Sequence, residues 1–175
     1  GYDVDQLDKS RLATLYAYQR DSAKFTVSPA AYVSKSEELK TYVPGYSTPI
    51  FSPTGGMKIS APDLAKYLLL HMNYGKVGTT RIISTANAKT MQTPLSTDEN
   101  YGLALWKTDV LLPGVELVGH TGSAYGLYSA LFFNPEEKYG FVVISNGCDP
   151  TEEDGYIRVI RRAIQILHEE WIVKP

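Results

Sequence analysis

Cysteine is nearly missing from this sequence: Cys148 stands alone among 175 residues. One thiol excludes an internal disulfide and any multi-cysteine metal site, and three scattered histidines supply no metal cluster either. Charge of one sign is missing too. The 17 Lys and Arg against 19 Asp and Glu leave a net charge of −2, without the basic excess of a protein that grips nucleic acid by charge. Long apolar runs are also lacking. Gly140–Ser145 and Ala65–Leu70 are far too short to cross a bilayer, so no transmembrane segment is expected. Gly1 opens the chain without a basic start and apolar stretch, so no signal peptide is expected in it. No period of 20–50 residues recurs.

What is present is a globular composition, 43% hydrophobic and 21% charged, which calls for a core. Residues 1–54 read as an irregular, loop-rich segment. Pro29, Pro44, Pro49 and Pro53 interrupt it, tyrosines are scattered through it, and only Leu12–Tyr18 and Phe25–Val27 look like strands.

From residue 55 the signals sharpen into an α/β (α+β) pattern over 55–175. Ser60-Ala61-Pro62-Asp63 has the form of a helix start: a capping hydroxyl, a proline in the first turn, and an acid at the positive end. Leu64, Tyr67, Leu68, His71 and Met72 then recur at helical spacing, predicting a helix over 60–75. A second helix is expected after Ser84, over 85–92, stopping before Pro94. Strands are expected over 101–107, 117–123, 126–134 and 140–146, the last two joined through Asn134-Pro135-Glu136-Glu137-Lys138 as an antiparallel hairpin. Both of these strands are apolar on both faces, so the sheet needs two covers. Ile157, Ile160, Ile164, Leu167 and Trp171 predict one, a helix over 154–172 with Glu152, Glu153 and Asp154 at its positive end. Arg158, Arg161 and Arg162 fall off that stripe and read as a solvated face. The second face has no equally clear cover, which predicts an incomplete sheet and self-association through an exposed face.

The chemistry concentrates in Gly119-His120-Thr121-Gly122-Ser123-Ala124-Tyr125-Gly126. A hydroxyl, an imidazole and small residues suit an edge strand beside which a substrate backbone can lie, with bare N–H groups for a carbonyl oxygen. A glycine-rich turn would have the same composition. Trp106 and Tyr125 could stand beside His120. His71, on an apolar helix face, reads as a packed histidine, and His168 as a partner of a helix end.

Tyr101-Gly102-Leu103-Ala104-Leu105-Trp106, His120-Thr121-Gly122, Gly126-Leu127-Tyr128-Ser129, Asn134-Pro135 and 142–146 occur in an order that resembles the C-terminal portion of the serine β-lactamase and penicillin-binding-protein-like family. That group includes class C β-lactamases, D-Ala-D-Ala carboxypeptidases and esterases. Pro53-Thr54-Gly55-Gly56-Met57 and the helix after Ser60 resemble the family's glycine turn and following helix. The resemblance implies a serine hydrolase that forms an acyl-enzyme on amide or ester substrates, needs no cofactor, and works outside the cytoplasm of a bacterium. It maps the family's Lys/His-Thr/Ser-Gly motif onto His120, Thr121 and Gly122. Thr121 and His120 would bind the substrate's polar group, Gly122 would leave it room, Tyr125 would lie alongside, and Ser123 would give its backbone N–H to the oxyanion. His120 stands where classical β-lactamases carry Lys. An ordinary imidazole is mostly neutral at pH 7, which weakens the case for a carboxylate-bearing antibiotic.

Two family motifs are missing from these residues. No Lys follows a Ser by three positions, and no Asn follows a Tyr or Ser by two. In the family the nucleophilic Ser-x-x-Lys and the Tyr-x-Asn precede the region matched here. The resemblance therefore implies a C-terminal fragment, inactive alone, whose partner is the N-terminal part of the same protein. A non-catalytic peptide- or cell-wall-binding module of the same fold is the alternative.

Overall fold

A computed structural model describes residues 1–51, 55–96 and 100–174; Pro53 and Thr54 of the glycine-turn motif lie outside them. In chain order the elements are β1 (Tyr16–Gln19), β2 (Lys24–Val27), α1 (Ser36–Lys40), α2 (Ala61–Met72), β3 (Lys76–Val77), β4 (Thr80–Arg81), α3 (Thr85–Gln92), β5 (Trp106–Thr108), β6 (Leu117–Ala124), β7 (Leu127–Asn134), β8 (Tyr139–Ser145), β9 (Glu152–Glu153), β10 (Tyr156–Ile157) and α4 (Arg158–His168). The centre is a four-stranded antiparallel sheet in the order β5-β6-β7-β8.

Strand alternation sends the apolar side chains of β7 to opposite faces. Ala130 and Phe132 join Leu117, Phe141, Ile160 and Ile164 in one buried cluster under α4. Leu131 and Phe133 join Val118, Leu68 and Met72 in a second cluster under α2. The expected bare face is therefore a misreading: α2 is its cover, so an exposed sheet face offers no route to self-association here. Leu64, Leu68 and Met72, at four-residue spacing, are the side chains that α2 lays on this face. Phe132 and Phe133 are fully buried, each worth roughly 1.5–3 kcal/mol of transfer free energy.

The helix starts follow their sequence signals. Ser60 Oγ accepts from the Asp63 amide and Ser84 Oγ from the Asn87 amide. Several boundaries differ from expectation. The strand expected over 101–107 is reduced to an isolated bridge at Tyr101 and the short β5, because Gly102 N–H donates to Leu105 C=O at 2.7 Å and Ala104 turns left-handed at φ 60°. The helix expected over 154–172 begins only at Arg158. Asp154 and Gly155, at φ 53° and 79°, make a tight turn that pairs β9 with β10. The acids at 152–154 thus do not sit on the helix end. Glu153 and Asp154 instead bind Arg161 at 3.1 and 2.7 Å. Arg161 is buried, not solvated, and also donates to Val110 C=O. The α-helix gives way after His168 to a wider π turn over Glu169–Val173, and the helix over 60–75 stops at Met72. The N-terminal segment is less irregular than it reads: β1 and β2 form a hairpin, and Tyr16 N–H donates to Asn146 C=O at 2.8 Å, docking it beside the end of β8.

His71 is fully buried on α2, with the ring of Tyr67 4.6 Å away and no hydrogen-bond partner for either ring nitrogen among the described residues. Burial pushes its pKa below the ordinary histidine value. The unfolded chain therefore binds the extra proton more readily, and stability falls as pH drops below the unfolded value of about 6.5. Between pH 7 and 5 the unfolding free energy should decline by up to about 1.4 kcal/mol per pH unit while this group titrates. In His71→Phe that slope should shrink; denaturant titrations of both proteins at several pH values measure it.

Candidate active site

The β6–β7 hairpin closes through two residues only. Ala124 faces Leu127 directly, with Tyr125 and Gly126 between them at φ 55° and 87°. Two successive left-handed residues make the mirror-image turn that matches strand twist. Gly126 is doubly constrained, since a Cβ there would lie 2.2 Å from the Tyr16 carbonyl oxygen. The strand expected over 117–123 thus extends to Ala124, and its partner starts at Leu127 rather than 126.

That turn determines which backbone groups of β6 are free. The pair closing a two-residue hairpin exchanges both hydrogen bonds, and bonded and non-bonded pairs then alternate. Ala124, Gly122 and His120 accordingly direct N–H and C=O toward β7. Ser123, Thr121 and Gly119 direct theirs away from it. Gly119 is occupied by β5, where it faces Trp106. Beyond it β5 has ended, and the Ser123 N–H and C=O have no backbone partner among the described residues. Ser123 is exposed, and Thr121 and Gly122 are half-buried.

The Thr121 carbonyl is taken by its neighbour: His120 Nδ1 lies 2.5 Å from it. A carbonyl has no proton to give, so Nδ1 is the donor. His120 Nε2 lies 3.1 Å from Tyr101 Oη. The ring packs against Trp106 at 4.7 Å between centroids and meets Tyr101 edge-on at 5.9 Å. Trp106 is both wall and core: it also touches Phe132, and its Nε1–H donates to Tyr156 Oη, which donates to Thr108 Oγ1.

The structure brings His120, Thr121 and Ser123 to one free edge. Gly122 fits differently from expectation. A Cβ there would lie 2.6 Å from Ser129 Oγ on β7, so its bareness first accommodates a neighbouring hydroxyl. Tyr125 stands at the hairpin tip with its ring half exposed. It lines a cleft of about 730 Å³ between the tip, the start of α2 and the N-terminal segment, walled by Leu12, Tyr32, Leu64, Leu127 and Ile144. His120, Thr121, Gly122 and Ser123 do not line that cleft. Tyr125 is thus set apart from the other four. Sequence reading missed the Tyr101 hydroxyl, because its approach to His120 depends on the turn at Gly102–Leu105, which period-two alternation does not announce. A polar cleft of about 440 Å³ at the other end of the sheet, beside Lys107 and Glu116, holds none of these residues.

No curated protein matches the chain. Among solved structures, the octameric penicillin-binding protein homologue from Pyrococcus abyssi is similar, with a TM-score of 0.57 and 22% identity. The match covers 95% of this chain and 32% of that one, so the chain spans about a third of that protein's length, and at this identity the likeness speaks for fold. The family model described as Beta-lactamase matches residues 1–165. Taken with a mixed fold of helices on both faces of an antiparallel sheet, this match establishes that the chain belongs to the beta-lactamase family.

Proposed function

We propose that this chain is the C-terminal portion of a serine hydrolase in which the outer edge of β6 forms one wall of the active site. The observation that carries the reading is the outward-facing N–H of Ser123, left free where β5 ends. A substrate carbonyl lying against this edge receives that N–H as an oxyanion donor, which acts through position rather than side-chain chemistry. The Thr121 hydroxyl, two residues back on the same strand, binds a polar group of the substrate. Tyr125, in the turn itself, would meet the far end of an extended substrate. The nucleophilic serine and the lysine that accepts its proton lie on the preceding part of the protein, and the serine's own N–H supplies the second oxyanion donor. The complete enzyme forms an acyl-enzyme on an amide or ester and releases it to water, without a cofactor.

Among the described residues no helix is long and apolar enough to cross a membrane. An extracytoplasmic bacterial setting, and assembly of the longer protein into oligomers, belong to the same proposal. The test is substitution of Thr121 in the longer, active protein. Thr121→Val should lower kcat/KM for an ester or amide substrate by about tenfold or more, as expected for losing a hydrogen bond of about 1.5 kcal/mol to a polar substrate group. Thr90→Val, on α3, should change it little. Equal small effects at both positions would reduce the His-Thr-Gly stretch to a structural strand. Tight peptide binding without turnover by a longer protein that lacks Ser-x-x-Lys would favour the binding-module alternative.

A further inference from the structure

We propose that Tyr101 is a positioning residue for the β6 edge, acting through His120 to set what that edge offers a substrate. The functional meaning rests on the reading of β6 as a substrate wall; the geometry does not. His120 Nδ1 must donate to the Thr121 carbonyl, since that oxygen can only accept. In the neutral ring Nε2 is then the acceptor, and the group placed to donate to it is the Tyr101 hydroxyl at 3.1 Å. An imidazole in water exchanges freely between its two neutral forms. A phenol aimed at Nε2 and a carbonyl aimed at Nδ1 both favour the form with the proton on Nδ1.

Tyr101 is itself held from several directions. It bridges to Trp106, its carbonyl accepts from Leu95 N–H at 2.8 Å, and the turn that follows is closed by the Gly102–Leu105 hydrogen bond. Trp106 packs on the His120 ring and restricts its rotation. The consequence for recognition is specific. Both ring nitrogens and the Thr121 carbonyl are used within the protein, so His120 presents neither a free donor nor a free acceptor. The edge left for a substrate consists of the Thr121 N–H, the Thr121 hydroxyl, and the N–H and C=O of Ser123. That set suits the uncharged carbonyl of an ester or amide. Tyr101 is thus a determinant of substrate class without touching substrate.

The test needs no substrate, so its failure is separable from failure of the proposed function. Nitrogen-15 NMR of the His120 ring, in this chain at a pH where the ring is neutral, reports which nitrogen carries the proton. The expected result is Nδ1–H in the natural sequence. In Tyr101→Phe, with β7 and β8 amide signals unchanged, that preference should weaken about tenfold, the effect of losing the hydrogen bond that Nε2 accepts, and the ring N–H should exchange with solvent faster as a result. Val110→Ala, away from the ring, should change neither. A proton on Nε2 in the natural sequence would overturn the proposal. So would an unchanged tautomer and exchange rate in Tyr101→Phe.

Discussion

Ser123→Pro in the longer, active protein is expected to lower kcat by about 10²–10³, the usual effect of removing one oxyanion donor. Proline deletes the backbone N–H and nothing else that the proposed chemistry uses. The site is suited to the experiment because Ser123 faces Tyr128 in a pair whose N–H groups point away from β7. The ladder should therefore survive, as it does where proline sits on the open side of an edge strand. Gly122→Pro is the contrasting variant. Its N–H points toward β7 and Ser129, so the substitution should remove a ladder hydrogen bond and lower stability instead. Ser123→Ala keeps the N–H and should leave kcat within a few-fold. A Ser123→Pro enzyme with full activity would show that some other group stabilises the oxyanion.

This chain by itself should show no turnover of a chromogenic cephalosporin or a short-chain nitrophenyl ester above background. No Ser in it is followed three residues later by Lys. Removing the nucleophile of a serine hydrolase costs on the order of 10⁶ in turnover. The preceding segment would also carry the second oxyanion donor, leaving one donor at Ser123. Catalysis by a lone donor, without a nucleophile or proton acceptor, falls below the reach of a spectrophotometric assay. Clear turnover blocked by a serine-directed inhibitor would place a nucleophile within residues 1–175 and overturn the fragment reading.

The parts of the fold legible in the sequence are those fixed by local chemistry. Capping serines at 60 and 84 start their helices, and the alternation through β7 places Phe132 and Phe133 on opposite faces. What stayed hidden depends on tertiary placement or on a turn signal passed over. Asp154-Gly155 is a strong hairpin signal between short extended pairs, and it outweighs the resemblance of the acids around it to a helix start. Arg161 lies off the isoleucine stripe of α4, but Glu153 and Asp154 neutralise it where it is buried. Whether α2 lies on the sheet could not be read from its own face, because an amphipathic helix does not name its partner. At the site, the residues of the β6 edge were legible as a motif. Their division into inward and outward groups was not, because it follows from the two-residue turn at Tyr125-Gly126. The Tyr101–His120 contact joins positions 19 residues apart through a turn that no periodicity reveals.

The edge of β6 is tested most directly by residue-resolved amide exchange in the longer protein, before and after phosphonylation of its serine by a phosphonate ester. In the free protein the Ser123 amide should exchange quickly, while Gly122 and Ala124, bonded to β7, exchange slowly. On phosphonylation the Ser123 amide alone of these three should become strongly protected. A Ser123 amide protected from the start, or one that the phosphonate leaves unchanged, would contradict a substrate wall at this strand.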